Sequence, residues 1–145
     1  MRKSAGFTIV ELLIVIAIAG VLSAIAIPNF STWVASYRLK SAAQAVHANL
    51  IGAKMLGAKE GREYRITTAA SAFTIQQGNL SSNSTAWTTV KTLAMTEYPG
   101  VTANAANAIV FVPRGTASNE TITLTNSKGA TKTITVSIAG RVKIN

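Results

Sequence analysis

From Phe7 to Ile27 the chain runs FTIVELLIVIAIAGVLSAIAI, apolar along its length but for a single charge, Glu11. At about 1.5 Å of rise per residue, such a segment is long enough as a helix to cross a hydrocarbon core about 30 Å thick. With 145 residues in all, the remainder has room for one small domain and no second. The composition is 48% hydrophobic and 13% charged, with the apolar residues concentrated at the start rather than spread evenly. Arg2 and Lys3 precede the run, and by the positive-inside tendency they hold the N-terminus in the cytoplasm and send the rest of the chain outward.

A secretory signal peptide, cleaved near Ser23-Ala24, is the ordinary alternative. Two features oppose it. The run exceeds the usual apolar stretch of about 7–15 residues, and Glu11 lies inside it, where burial costs several kcal/mol unless a partner is found. The simplest partner is a positive charge arriving at the same depth, and a freed α-amino group at Phe7 of a neighbouring chain supplies one.

Lys3-Ser4-Ala5-Gly6 followed by Phe7-Thr8-Ile9-Val10-Glu11-Leu12-Leu13 closely resembles the type III leader of type IV pilins and type II secretion pseudopilins. The resemblance implies cleavage after Gly6 by a prepilin peptidase, N-methylation of Phe7, and pairing of Glu11 with the N-terminal amine of an adjacent subunit. It also implies a single-pass inner-membrane protein with a periplasmic C-terminal domain, handled by an inner-membrane assembly platform and built into a filament with other pilin or pseudopilin subunits. Part of this follows from the residues themselves. Glycine puts no side chain in the way of a protease, and a charge pair shared between subunits removes the cost of Glu11 only when they are in register.

On this basis residues 1–6 are a leader, 7–28 a transmembrane and filament-core helix, 29–61 an amphipathic helix and 62–145 a β-rich domain. Pro28 removes a backbone donor and is expected to kink or locally open the helix. Beyond it Leu39, Ala43, Val46, Leu50, Ala53 and Gly57 recur at four-three spacing and share one face, while Arg38, Lys40 and Lys54 fall mainly on others. Gly57 and Gly61 mark the helix end. The pattern then changes to period two. Strands are expected at Tyr64–Thr67, Phe73–Gln76, Trp87–Val90, Ala108–Val112, Thr121–Thr125, Lys132–Ile138 and Arg141–Ile144. Ser127-Lys128-Gly129-Ala130 fits a hairpin connection, Ala139-Gly140 a tight bend, and the polar stretch Gly78–Thr85 a loop. The expected fold class is α+β: a long N-terminal helix packed on a C-terminal antiparallel β domain, pilin-like.

The tail carries a second resemblance. An apolar strand with Phe111-Val112-Pro113-Arg114-Gly115, a Thr-rich hairpin, and Thr135-Val136-Ser137-Ile138-Ala139-Gly140-Arg141 are similar to the GspH/FimT group of minor pseudopilins and minor pilins. The implied function is a structural one, a minor subunit that primes or caps a type II secretion pseudopilus or a type IV pilus. Relatives of the calcium-binding major type would want acidic ligands near the C-terminus, and the chain has no aspartate. A major pilin forming the shaft is opposed by the missing cysteine loop.

The residues that remain carry little chemistry. Cysteine is absent, which excludes disulfides and thiolate-bound zinc, and the acids are Glu11, Glu60, Glu63, Glu97 and Glu120. A Ser-His-Asp arrangement lacks its Asp, Glu60 and Glu63 fit a solvated helix terminus, and His47 fits a rim position without companion ligands. No enzyme, metal or cofactor is expected. Net charge is +9, falling to +7 if the first six residues are removed, which favours an anionic partner. In the competence-linked branch of the resembling family, a C-terminal Gly-Arg-x-Arg pattern contributes to DNA binding. Here the matching residues are Gly140, Arg141 and Lys143, and Lys keeps the charge but loses the bidentate fork. Arg141 and Lys143 project to one side of a strand, where Arg114, Lys128 or Lys132 would extend a basic patch. DNA uptake is thus the alternative function, and charges that keep an edge strand from aggregating are the plain structural one.

Overall fold

The structure is a computed structural model and describes residues 7–145. Its elements are helix α1 (Ile9–Glu60) and strands β1 (Tyr64–Ala69), β2 (Ala72–Gly78), β3 (Trp87–Ala94), β4 (Val101–Ala105), β5 (Ile109–Phe111), β6 (Glu120–Asn126), β7 (Thr131–Val136) and β8 (Val142–Ile144). One compact unit ends at Val34 and a second runs from Ala35 to Asn145.

In the second unit the stripe expected on α1 is the one that is buried: Leu39, Ala43, Val46, Leu50, Ala53 and Gly57, joined by Ala35 and Ala42. Ala and Gly stand among Leu39, Val46 and Leu50 on that stripe. A side chain at Gly57 would crowd the Arg62 carbonyl and the Tyr64 ring. The helix stops at Gly61, whose φ of 66° suits glycine, and Arg62 N donates to the Gly57 carbonyl at 3.3 Å, the six-to-one bond of a Schellman cap.

Two four-stranded antiparallel sheets follow, in the orders β3-β2-β1-β5 and β4-β6-β7-β8. Tyr64, Ile66, Phe73, Ile75, Ile109 and Phe111 point inward from the first, and Val101, Ala103, Ile122, Leu124, Ile134 and Val136 from the second. The alternate residues of β6 and β7 are threonines paired across the strands, Thr121 with Thr135, Thr123 with Thr133 and Thr125 with Thr131. They give the second sheet a polar outer face of good strand formers. The hairpin falls where expected and is fastened by the Asn126 side chain, which accepts from the amides of Lys128 (3.0 Å) and Ala130 (2.9 Å) while Gly129 takes φ 81°.

Three expectations need correcting. Of the two outcomes expected at Pro28, a kink or a local opening, the opening does not occur, since α1 is continuous there. Strand β4, Val-Thr-Ala-Asn-Ala, has no counterpart in the expected set; Ala and Asn are poor strand formers, and its pairing with β6 makes it a strand. Glu63 is not solvated: it is 5% exposed, and its carboxylate accepts from the backbone amides of Asn83 (3.0 Å) and Ser84 (2.7 Å), clamping the loop between β2 and β3.

Candidate assembly site

At the start of α1, Thr8 and Glu11 cap the helix reciprocally. The Thr8 amide and hydroxyl each donate to Glu11 Oε2 at 2.9 Å, and the Glu11 amide donates to Thr8 Oγ1 at 3.2 Å. This is the capping box Thr-x-x-Glu, which satisfies amides that a helix start leaves without partners. The three-residue spacing is visible in the sequence, and it gives Glu11 a partner within its own chain besides the one expected in another subunit. Both bonds fall on Oε2, so among the described residues Oε1 keeps its lone pairs for a second donor. Phe7 is 81% exposed beside it. Gly6, the expected scissile residue, lies outside the described residues.

From Phe7 to Trp33 no described residue is buried, and this half of α1 is long and apolar enough to cross a membrane. Ile9, Leu12, Leu13, Ile16, Val21 and Ile25 lie on all sides of the helix and every one is more than half exposed. An apolar surface of this extent is stable only in lipid or against other apolar helices. The few polar side chains turn inward on their own backbone. Ser23 Oγ donates to the Ala19 carbonyl (2.7 Å), Asn29 Nδ2 to that of Ile25 (3.2 Å), and Ser31 Oγ (2.9 Å) and Thr32 Oγ1 (3.1 Å) both to that of Pro28. Such back-bonding satisfies the three hydroxyl donors and one of the two Asn29 amide donors, which suits an apolar medium.

At the other end of the chain, β8 pairs with β7 as Val142 with Val136, Lys143 with Thr135 and Ile144 with Ile134. Val142 and Ile144 pack against the core, so Arg141 and Lys143 stand exposed on the outer side. Neither side chain is hydrogen-bonded among the described residues. Of the three residues expected to extend this patch, Lys132 does not join it. Lys132, two and four residues before the buried Ile134 and Val136, shares their side of the sheet, opposite to Lys143.

Arg114 precedes Gly115, whose carbonyl lies where a side chain at Gly140 would stand; with φ 67°, only glycine fits that bend. Lys54, which helical spacing set apart from the packed face, reaches the same bend and donates to the Gly140 carbonyl at 2.9 Å. A lysine stem is long enough to cross from one face to another, which spacing alone does not reveal. His47 is partly exposed, and the described residues hold no group of three acid, His or Cys side chains able to bind a metal.

Residues 1–27 match the family described as prokaryotic N-terminal methylation motif, and residues 42–140 match the family described as type II transport protein GspH. Two fimbrial proteins of Pseudomonas aeruginosa are each 44% identical over 48 residues, 33% of this chain and 31% of theirs, so the match spans about a third of these relatives. The crystal structure of the type IV minor pilin FimU of Pseudomonas aeruginosa is similar at TM-score 0.61 and 21% identity, over 76% of this chain and 90% of that one. The minor pseudopilin EpsH of the Vibrio cholerae type 2 secretion system gives 0.62 and 10%, over 74% and 96%. The solution structure of Escherichia coli GspH gives 0.64 and 14%, over 77% and 90%. At these identities the three structures share the fold.

Proposed function

The chain belongs to the type II transport protein GspH family, the minor pilins and pseudopilins, and from that premise we propose that it primes or caps a filament of a secretion or pilus machine. It acts by packing and not by catalysis. The observation that carries this is the first half of α1, an unburied apolar helix whose capped Glu11 keeps one carboxylate oxygen open. A prepilin peptidase cuts after Gly6, Phe7 is N-methylated, and the new amine of one subunit meets Glu11 Oε1 of the next. The pairing is charge-assisted and removes the cost of a carboxylate in an apolar medium, so it forms only in register. Until then α1 anchors the chain in the inner membrane with the β domain on the periplasmic side, and the assembly platform draws it into the filament.

In cells lacking this chain, filaments should be fewer or altered in length, and supplying the chain should restore them. Unchanged number and length would contradict a role in priming or capping.

Arg141 and Lys143 support a second reading, DNA binding for uptake, because both are exposed on one side of β8 and neither has a partner among the described residues. Such binding would be sequence-independent and would fall steeply with salt. Binding of duplex DNA that is unchanged in an Arg141→Ala, Lys143→Ala chain would remove this reading.

A further inference from the structure

The charges of the second unit are largely unanswered within it. Setting aside Arg2, Lys3 and Glu11 leaves twelve Lys and Arg against four Glu, a net charge of +8. Three of the four carboxylates are taken by neutral donors: Glu60 by the Tyr64 hydroxyl and Gln77, Glu63 by two backbone amides, and Glu120 by Asn107. Glu97 alone keeps a carboxylate with no hydrogen bond among the described residues. None of these carboxylates is held by a Lys or Arg, so the cations have no counter-charge among the described residues.

Two of them stand over an apolar groove. Strand β8 is an edge of its sheet, and between it and α1 runs a groove of about 340 Å³ floored by Ile51, Met55, Ala58 and Val142 and rimmed by Lys54 and Arg141. Met55 is 67% exposed, an unbranched and adaptable side chain left in water. An apolar floor gains from burial by another apolar side chain, and the rim selects the charge of what lies over it.

We propose that this groove receives an acidic segment with apolar anchor side chains from a different filament subunit. The proposal rests on the reading of the chain as a filament subunit and names the chemistry of its neighbour. A second copy of this chain fits poorly, since it brings the same +8 and only Glu97 to offer. A nucleic acid would engage Arg141 through phosphate but leave the apolar floor uncovered. Complementary charge steers the encounter and excludes like-charged neighbours, a second copy of this chain among them.

The test uses the full chain in its own cell envelope, with a photo-cross-linking amino acid in place of Met55 and, in a parallel chain, in place of Ile16. The Met55 position should capture another pilin-like protein through a peptide rich in Asp or Glu. Arg141→Glu should cut that yield about tenfold and leave the Ile16 capture unchanged. Capture of a second copy, capture of nucleic acid, a yield indifferent to Arg141→Glu, or no capture at Met55 while Ile16 captures subunits would overturn the groove proposal and leave the filament reading standing. No capture at either position would overturn both.

Discussion

The two halves of α1 are built on one continuous backbone and have opposite fates. Between Phe7 and Trp33 nothing is buried, whereas between Ala35 and Gly57 eight residues are. The difference lies in where the apolar residues fall around the helix. In the first half Ile, Leu and Val occupy every side, so no face is singled out and the helix asks for an apolar medium all round. In the second they are confined to a stripe, with Arg38, Lys40, Gln44 and Asn49 on the rest of the circumference, and the stripe fits a core of its own. One helix thus carries two interfaces that can be altered separately.

The largest expected effect separates them. Leu50→Ala, in the packed half, should lower the stability of the detergent-solubilised chain by about 2–5 kcal/mol, measured by thermal or denaturant unfolding. Ile16→Ala, in the exposed half, should change it by less than about 0.5 kcal/mol while reducing recovery of the chain in filaments. Equal loss of stability in both variants would dissolve the distinction.

Next in size is Glu63→Ala, which strands the Asn83 and Ser84 amides and should cost about 1–3 kcal/mol, with faster hydrogen exchange at those two amides and little change in the first half of α1.

Tyr64→Phe should cost about 1 kcal/mol near neutral pH by removing the 2.7 Å bond to Glu60. It also carries a pH signature. Burial first, then the hydrogen bond to Glu60 and its negative charge, push the Tyr64 hydroxyl up to about 12. A group raised in the folded state stabilises fully below its unfolded value, about 10 for Tyr, and that contribution is lost as pH rises toward 12. The parent should therefore lose stability from pH 10 upward more steeply than Tyr64→Phe; parallel curves would contradict the assignment.

The smallest effect is at the helix start. Thr8→Val removes the cap and should cost about 1 kcal/mol or less of local stability, seen as fraying of the first turn by amide exchange, with the second half unaffected.

What the sequence revealed tracks which interactions are local. The buried stripe from Leu39 to Gly57, the stop at Gly61, the Ser127–Ala130 hairpin and the Gly140 bend are written in spacing or in single residues, and all could be read directly. Strand β4 could not, because Val101–Ala105 takes its identity from pairing with β6 and not from its own residues. The clamp by Glu63 joins residues some twenty apart, and the Lys54 bond to Gly140 joins residues 86 apart. Neither leaves a periodic trace. Of the candidate assembly site, Glu11 is legible as an ionisable residue inside an apolar run, and its bond to Thr8 is equally legible in the Thr-x-x-Glu spacing. The groove beside β8 needed three dimensions, since Met55 and Val142 have no reason in the sequence to be neighbours.

The central claim, that Glu11 aligns this chain with its filament neighbours, is tested most directly by Glu11→Ala, measured as the ratio of chain in sheared filaments to chain in membranes. The account predicts normal membrane insertion with incorporation reduced at least about tenfold, since an unmatched or absent charge at this depth is worth several kcal/mol. Incorporation equal to that of the parent chain, at equal membrane levels, would contradict it.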